Sequence, residues 1–149
     1  MIELLIVIAI IAVGVALVSV ALPDGDAARL EEEGARLSAL LEMARAESRV
    51  SGAAVRWLPR AEGEALTDLA GAPLHFRFIG LAEAAPPTRW LDARVSAQVI
   101  GGRGVVLGPA AILPPQRIVL TLAEKRLELS SDGLGPFAVV EPAAAAARP

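Results

Sequence analysis

The sequence predicts an α+β protein: an N-terminal hydrophobic transmembrane helix, then an amphipathic helix packed on an antiparallel β-sheet. Three observations predict it. The run from Leu4 to Leu22 carries no charge. Residues 27–51 repeat their apolar positions at helical spacing, and from residue 54 onward short period-two segments alternate with Gly-, Pro- and Asp-containing turns. One helix followed by several short strands is an α+β layer pattern. The expected organisation is a membrane segment at 1–22, a break at 23–26, an α+β domain at 27–141 and a disordered Ala-rich tail at 142–149.

Leu4–Leu22 reads LLIVIAIIAVGVALVSVAL, 19 residues interrupted only by Gly14 and Ser19. As a helix it would extend roughly 28 Å, close to the hydrocarbon thickness of a bilayer. Leu4, Leu5, Ile6, Val7, Ile8, Ile10, Ile11, Val13, Val15, Leu17, Val18, Val20 and Leu22 supply the lipid-compatible surface. Ser19-Val20-Ala21 also fits a small-x-small signal cleavage site. The apolar run is longer than a usual signal core, however, and no Lys or Arg precedes it. Glu3 stands at the membrane edge, where a basic flank is the ordinary choice. A carboxylate at mid-bilayer costs on the order of 3 kcal/mol, and less near the end of the span. Glu3 is therefore a candidate functional group in need of a cationic partner, or else a residue of the headgroup region.

Pro23-Asp24-Gly25-Asp26 signals a break, with Asp26 as N-cap of the next helix. In that helix Leu30, Leu37, Leu41, Ala44 and Ser48 form one stripe, with Leu40 beside it, and the expected role of the stripe is core packing. Glu31, Glu32 and Glu33 lie in the first turns, where the helix dipole favours acids, and Gly52 is the expected C-cap. Strands are expected at 54–58, at 74–79 with Leu74, Phe76 and Phe78 on one face, at 95–100 and at 104–107. The last two flank Gly101-Gly102-Arg103, which predicts a hairpin. Strands at 116–122, 126–130 and 137–140 then predict a three-stranded antiparallel meander, turning at Asp132-Gly133 before its last strand.

Composition excludes several classes of chemistry. The chain has no cysteine, hence no disulfide, thiolate zinc site or Cys nucleophile. Its net charge is −3, with acids and bases mixed along the chain, so there is no basic stripe for nucleic acid. The only histidine, His75, alternates with an apolar face and is expected to face solvent without a catalytic role. Gly101-Gly102-Arg103-Gly104 lacks the Lys-Ser/Thr of a phosphate loop. Asp24 and Asp26 are too few for a calcium site. Trp57 is expected in the core. No catalytic, cofactor-binding or metal-ligating residue is assigned, and the chain is not expected to be an enzyme.

Met1-Ile2-Glu3-Leu4-Leu5-Ile6-Val7-Ile8-Ala9-Ile10-Ile11 resembles the start of mature type IV pilin-like proteins, F-T-L-I-E-L-L-V-V-I-A-I-I, and departs only at Met1 and Ile6. The resemblance implies that Glu3 stands where the family's glutamate pairs with the N-terminal amine of a neighbouring subunit. It also implies a short basic leader ending in Gly, cut by a prepilin peptidase before Phe-Thr. Met1 falls inside the pattern, so an in-frame extension upstream is expected. Two further stretches resemble GspH-type minor pseudopilins of type II secretion systems. One is the helix Leu37–Val55, similar to L-x-x-L-L-x-x-A-R-x-x-A, with Ser48 in place of the last Ala. The other is the pair of patterns P-P-x-x-I and D-G-x-x-P-F around Pro114-Pro115 and Asp132–Phe137.

The resemblance implies a pseudopilus subunit in the bacterial inner membrane with its globular domain in the periplasm. Its partners would be the other major and minor pseudopilins, the inner-membrane secretion platform, the prepilin peptidase acting on the precursor, and the lipid bilayer, with no nucleic acid and no cofactor. Three rival readings remain: a minor pilin of a type IV pilus, a DNA-binding competence pilin, and a tethered enzyme. A competence pilin should cluster Lys and Arg near its C-terminus, where the tail offers only Arg148.

Overall fold

A computed structural model describes residues 6–7, 25–81 and 86–140. Glu3, the anchor residues other than Ile6 and Val7, the Pro23-Asp24 part of the break and the tail 142–149 all lie outside the described residues. Ile6 and Val7 are helical with exposed side chains. Among the described residues, no helix is long and apolar enough to cross a membrane.

Helix α1 spans Gly25–Ser51. It starts two residues earlier than the N-cap signal predicted, so Asp26 lies inside the first turn rather than at the cap. The Asp26 carboxylate is turned towards Arg94, whose Nη2 lies 3.1 Å away, and this contact takes the place of capping. Gly52 follows with φ +68°, the left-handed conformation that ends a helix and that glycine adopts without strain. The predicted stripe is buried: Leu30, Leu37, Leu41, Ala44 and Ser48 are each 2% exposed or less. Gly34 lies on the same face, and a Cβ there would collide with the Leu127 side chain, so the absence of a side chain lets the helix settle on the sheet.

Among the described residues seven strands follow: β1 (Arg56–Pro59), β2 (Phe76–Ile79), β3 (Ser96–Ile100), β4 (Val105–Val106), β5 (Gln116–Leu122), β6 (Lys125–Ser131) and β7 (Ala138–Val140). They form two antiparallel sheets, a three-stranded sheet ordered β2-β1-β4 and a four-stranded sheet ordered β3-β5-β6-β7. The predicted meander is present as β5-β6-β7, and α1 packs on these three strands. The architecture is therefore α+β, one helix on antiparallel sheets. Ile118, Leu120 and Leu122 of β5 point inward at full burial, as period two requires. Complete burial of each such side chain stabilises the fold by about 1.5–3 kcal/mol.

The predicted hairpin at Gly101-Gly102-Arg103 does not form. β3 pairs with β5, whereas β4 pairs with β1, so this turn carries the chain from one sheet to the other. Gly104 explains the change of partner: its Cα approaches the Trp57 carbonyl and the Leu58 side chain so closely that a Cβ would lie 2.7 Å from that oxygen. The two sheets are then joined by a side chain. Gln116, at the start of β5, accepts from the Val106 N–H (2.7 Å) and donates to the Val106 carbonyl (2.9 Å), which mimics a strand pairing across the gap. Trp57 is fully buried, as expected, and sits against Phe76, which in turn packs against Trp90 with ring centroids 4.6 Å apart.

Candidate functional site

Two charged residues lie on the buried face of α1, and each grips a loop. Arg45 is 3% exposed. Its Nη1 donates to the Gly135 carbonyl at 2.7 Å, and its Nη2 donates to the carbonyls of Gly133 (2.7 Å) and Leu134 (3.3 Å). Glu42, one turn earlier, brings a carboxylate oxygen to 3.9 Å of Nη1. A planar guanidinium with a fixed fork of donors suits several carbonyls in one loop better than an ammonium would.

The loop is shaped in advance for this grip. The Asp132 carboxylate accepts from the N–H groups of Leu134 (2.9 Å) and Gly135 (2.8 Å). Those backbone donors, ahead of the Arg45 charge, hold its carboxyl below the usual range. Ser131 Oγ donates to the Gly135 carbonyl at 2.9 Å and accepts from the Gly133 N–H at 3.1 Å. Gly133 has φ +90°, and a Cβ there would run into the Leu113 carbonyl. The Leu113 N–H also donates to the Gly133 carbonyl, at 3.2 Å, and Ser38 of α1 donates to the Phe137 carbonyl. The C-terminal half of α1, the Leu113 backbone and the loop 132–137 are thus brought together, with the Arg45 guanidinium bonded to the loop.

Glu33 sits about three turns earlier on the same helix, 1% exposed. Its Oε1 accepts from the N–H groups of Leu91 and, at 3.0 Å, Asp92. Arg36 balances the charge, with Nη1 3.4 Å from Glu33 Oε2, and also donates to the Arg89 carbonyl at 3.0 Å. Outside this pair lies an exposed network. Arg94 Nη2 reaches Asp92 at 2.7 Å and Asp26 at 3.1 Å, while Arg29 lies 3.5 Å from Asp92. The Arg94 hydrogen bonds hold the Asp92 carboxyl at about 2. An open groove here is lined by Arg29, Glu32, Glu33, Leu91, Asp92 and Ala93.

His75 departs from the expectation of a solvent-facing side chain. It is half-buried, and its Nδ1 accepts from the Trp90 N–H at 2.8 Å. The strand alternation that predicted exposure fails because residues 86–95 fold back over this position. Among the described residues no group of His, Cys, Asp and Glu is placed to hold a metal ion.

Glu3 and the anchor residues lie outside the described residues apart from Ile6 and Val7, which are helical and exposed. Glu33 and Arg45 were missed as buried groups, and a signal for both existed. Each falls three or four residues from an apolar stripe member, Glu33 between Leu30 and Leu37 and Arg45 four beyond Leu41. A charge on the core face of a helix is rarely fully buried unless it is paired. No family model matches the chain, and no match is found among curated proteins or solved structures.

Proposed function

We propose that the chain is a minor pseudopilin of a type II secretion system, resembling the GspH type, with a structural role in exporting folded proteins across the outer membrane. The observation that carries this reading is the eleven-residue run Met1–Ile11, with its glutamate at the third position of an otherwise uncharged segment. Two features of the domain support it. A single amphipathic helix packs on antiparallel strands, as such subunits require. Arg45, in the Ala-Arg pair of the helix pattern, holds the Asp132–Phe137 loop that carries the second pattern.

In this reading residues 4–22 hold the subunit in the inner membrane and the domain lies in the periplasm. The subunit acts by joining a short filament with the other pseudopilins. No bond is broken in its own site. Glu3 pairs with the terminal amine of a neighbour. An ion pair away from bulk water is stronger than a surface pair, though desolvation offsets much of the gain, so its main effect is register and recruitment. The test is Glu3→Gln in the processed full-length protein. Membrane insertion should persist and co-purification with the other pseudopilins should fall. Unchanged co-purification and secretion would remove Glu3 as the docking group and, with it, the reading.

A further inference from the structure

Residues 86–95 lie as a strap between β2 and β3, fastened at several points. The Thr88 carbonyl accepts from the N–H groups of His75 (2.9 Å) and Phe76 (3.2 Å). Arg36 donates to the Arg89 carbonyl, and Glu33 accepts from the N–H groups of Leu91 and Asp92. In the middle, the Trp90 N–H donates to His75 Nδ1 at 2.8 Å and the Trp90 indole, 6% exposed, is inserted against Phe76. Of these fasteners only the imidazole ordinarily changes charge between about pH 5 and 8. The chain has one histidine and no cysteine, so it has no competing side chain of that ordinary range.

We propose that this strap is a pH-operated latch: protonation of His75 at Nδ1 releases Trp90 from the core and bares an apolar surface that neutral pH keeps covered. The chemistry is direct. Nδ1 can accept from the Trp90 N–H only while it carries no proton, and an imidazolium is a donor at both nitrogens. Protonation therefore sets two donors against each other at one contact and places a cation among cations. Arg60 faces His75 from the end of β1 and Arg89 from the strap itself, while Glu33 of α1 is the one opposing charge among these groups. Burial first, then Arg60 and Arg89, hold the imidazole below its ordinary 6.5 while the strap is closed. Because the closed form binds the proton more weakly, the closed strap is fully favoured above pH 6.5 and loses ground as pH falls. Between that value and the closed-state pKa, the opening constant rises up to about tenfold per pH unit.

The test uses the full chain carrying Trp57→Phe, so that Trp90 is the sole indole. As pH falls from about 7.5 to 5, across the imidazole range, Trp90 emission should shift red and acrylamide quenching should rise, with a one-proton midpoint below 6.5. Far-UV circular dichroism should stay constant. His75→Asn, which keeps an acceptor near the Nδ1 position but does not titrate, should give a flat profile. Should Trp57→Phe fail to fold, hydrogen exchange of the Trp90 backbone N–H, the group bonded to His75, reads the same opening by NMR in the unaltered chain. Three results overturn the latch: no change with pH, the same change in His75→Asn, or a change that coincides with loss of secondary structure.

Discussion

The two ends of α1 solve one packing problem with opposite charges. Near its C-terminal end Arg45 collects three carbonyl oxygens from the loop 133–135; near its N-terminal end Glu33 collects two N–H groups from residues 91 and 92. In both cases a loop with no strand partner lies against the helix, and its backbone groups need hydrogen bonds once water is excluded. The difference lies in what else holds each loop. The 132–137 turn is built by Asp132, Ser131 and Gly133 and is flanked by the paired strands β6 and β7. The 86–95 strap is held by Glu33 and Arg36 of α1, by the Thr88 carbonyl bonded at the start of β2, by a titratable imidazole and by one inserted indole. The first region is over-determined, and the second is a fastening that a single proton can loosen.

The largest effect should come from the over-determined end, because more groups lose their partner there. Arg45→Met keeps the apolar stem but removes a charged donor from three carbonyls, leaving Gly133 with the Leu113 N–H, Gly135 with the Ser131 hydroxyl and Leu134 with neither, beside a Glu42 carboxylate that loses its counter-charge. The expected loss is about 3 kcal/mol, from charged hydrogen bonds removed at a buried site. Urea denaturation measures it. Arg45→Lys should recover only part of the loss, since an ammonium lacks the fork. A loss under about 1 kcal/mol would mean that water enters and satisfies the loop, so that the two ends differ less than their burial indicates.

Glu33→Gln should cost less, about 1–2 kcal/mol, because the amide oxygen can still accept while the Arg36 pairing is lost. Amide exchange should quicken at Leu91 and Asp92 and stay unchanged at Gly133 and Gly135. The two sites lie roughly 18 Å apart along the helix, so the double variant should lose the sum of the single losses within about 0.5 kcal/mol. A large coupling would show that the loops communicate through the sheet, and the contrast between two independent fastenings would fail.

The same contrast explains what the sequence makes legible. The helix, the β5-β6-β7 meander and the core placement of Trp57 follow from apolar periods of 3.6 and 2, and those periods persist where an element has one wet and one dry face. The partner of β4 was not legible. Gly101-Gly102-Arg103 is good turn chemistry, but a turn sequence does not say which sheet the next strand joins, and that choice rests on the close approach of Gly104 to Trp57. The spacing of Glu33 and Arg45 to the apolar stripe hints at their burial, but the partners of Glu33, Arg45 and His75 were illegible for a related reason. Each side chain is bonded by backbone from residues distant in sequence, so its own neighbourhood does not name the partner. The candidate site at Glu3 and the anchor rests on sequence pattern alone, since all of it but Ile6 and Val7 lies outside the described residues.

The smallest effect should come from the exposed network beyond Glu33, and it sharpens the contrast by isolating charge from burial. Asp92 is held at about 2 rather than 3.8, first by the Arg94 side chain and then by the Arg94 backbone N–H. The depressed value fixes the sign: the interaction favours the fold above about 3.8, the unfolded value, and is lost as pH falls through about 2. Its window therefore lies between about 2 and 3.8, whereas the His75 window opens at 6.5. In Arg94→Ala the guanidinium is gone, yet the N–H of residue 94 can still donate. The Asp92 midpoint, followed by carboxyl NMR, should therefore rise part of the way towards 3.8. At neutral pH the urea midpoint should barely move, because an exposed pair is screened by water and salt. An unchanged Asp92 midpoint would assign the depression to Arg29 and the backbone. A marked loss of stability at neutral pH would instead make Arg94 a third fastening of the strap.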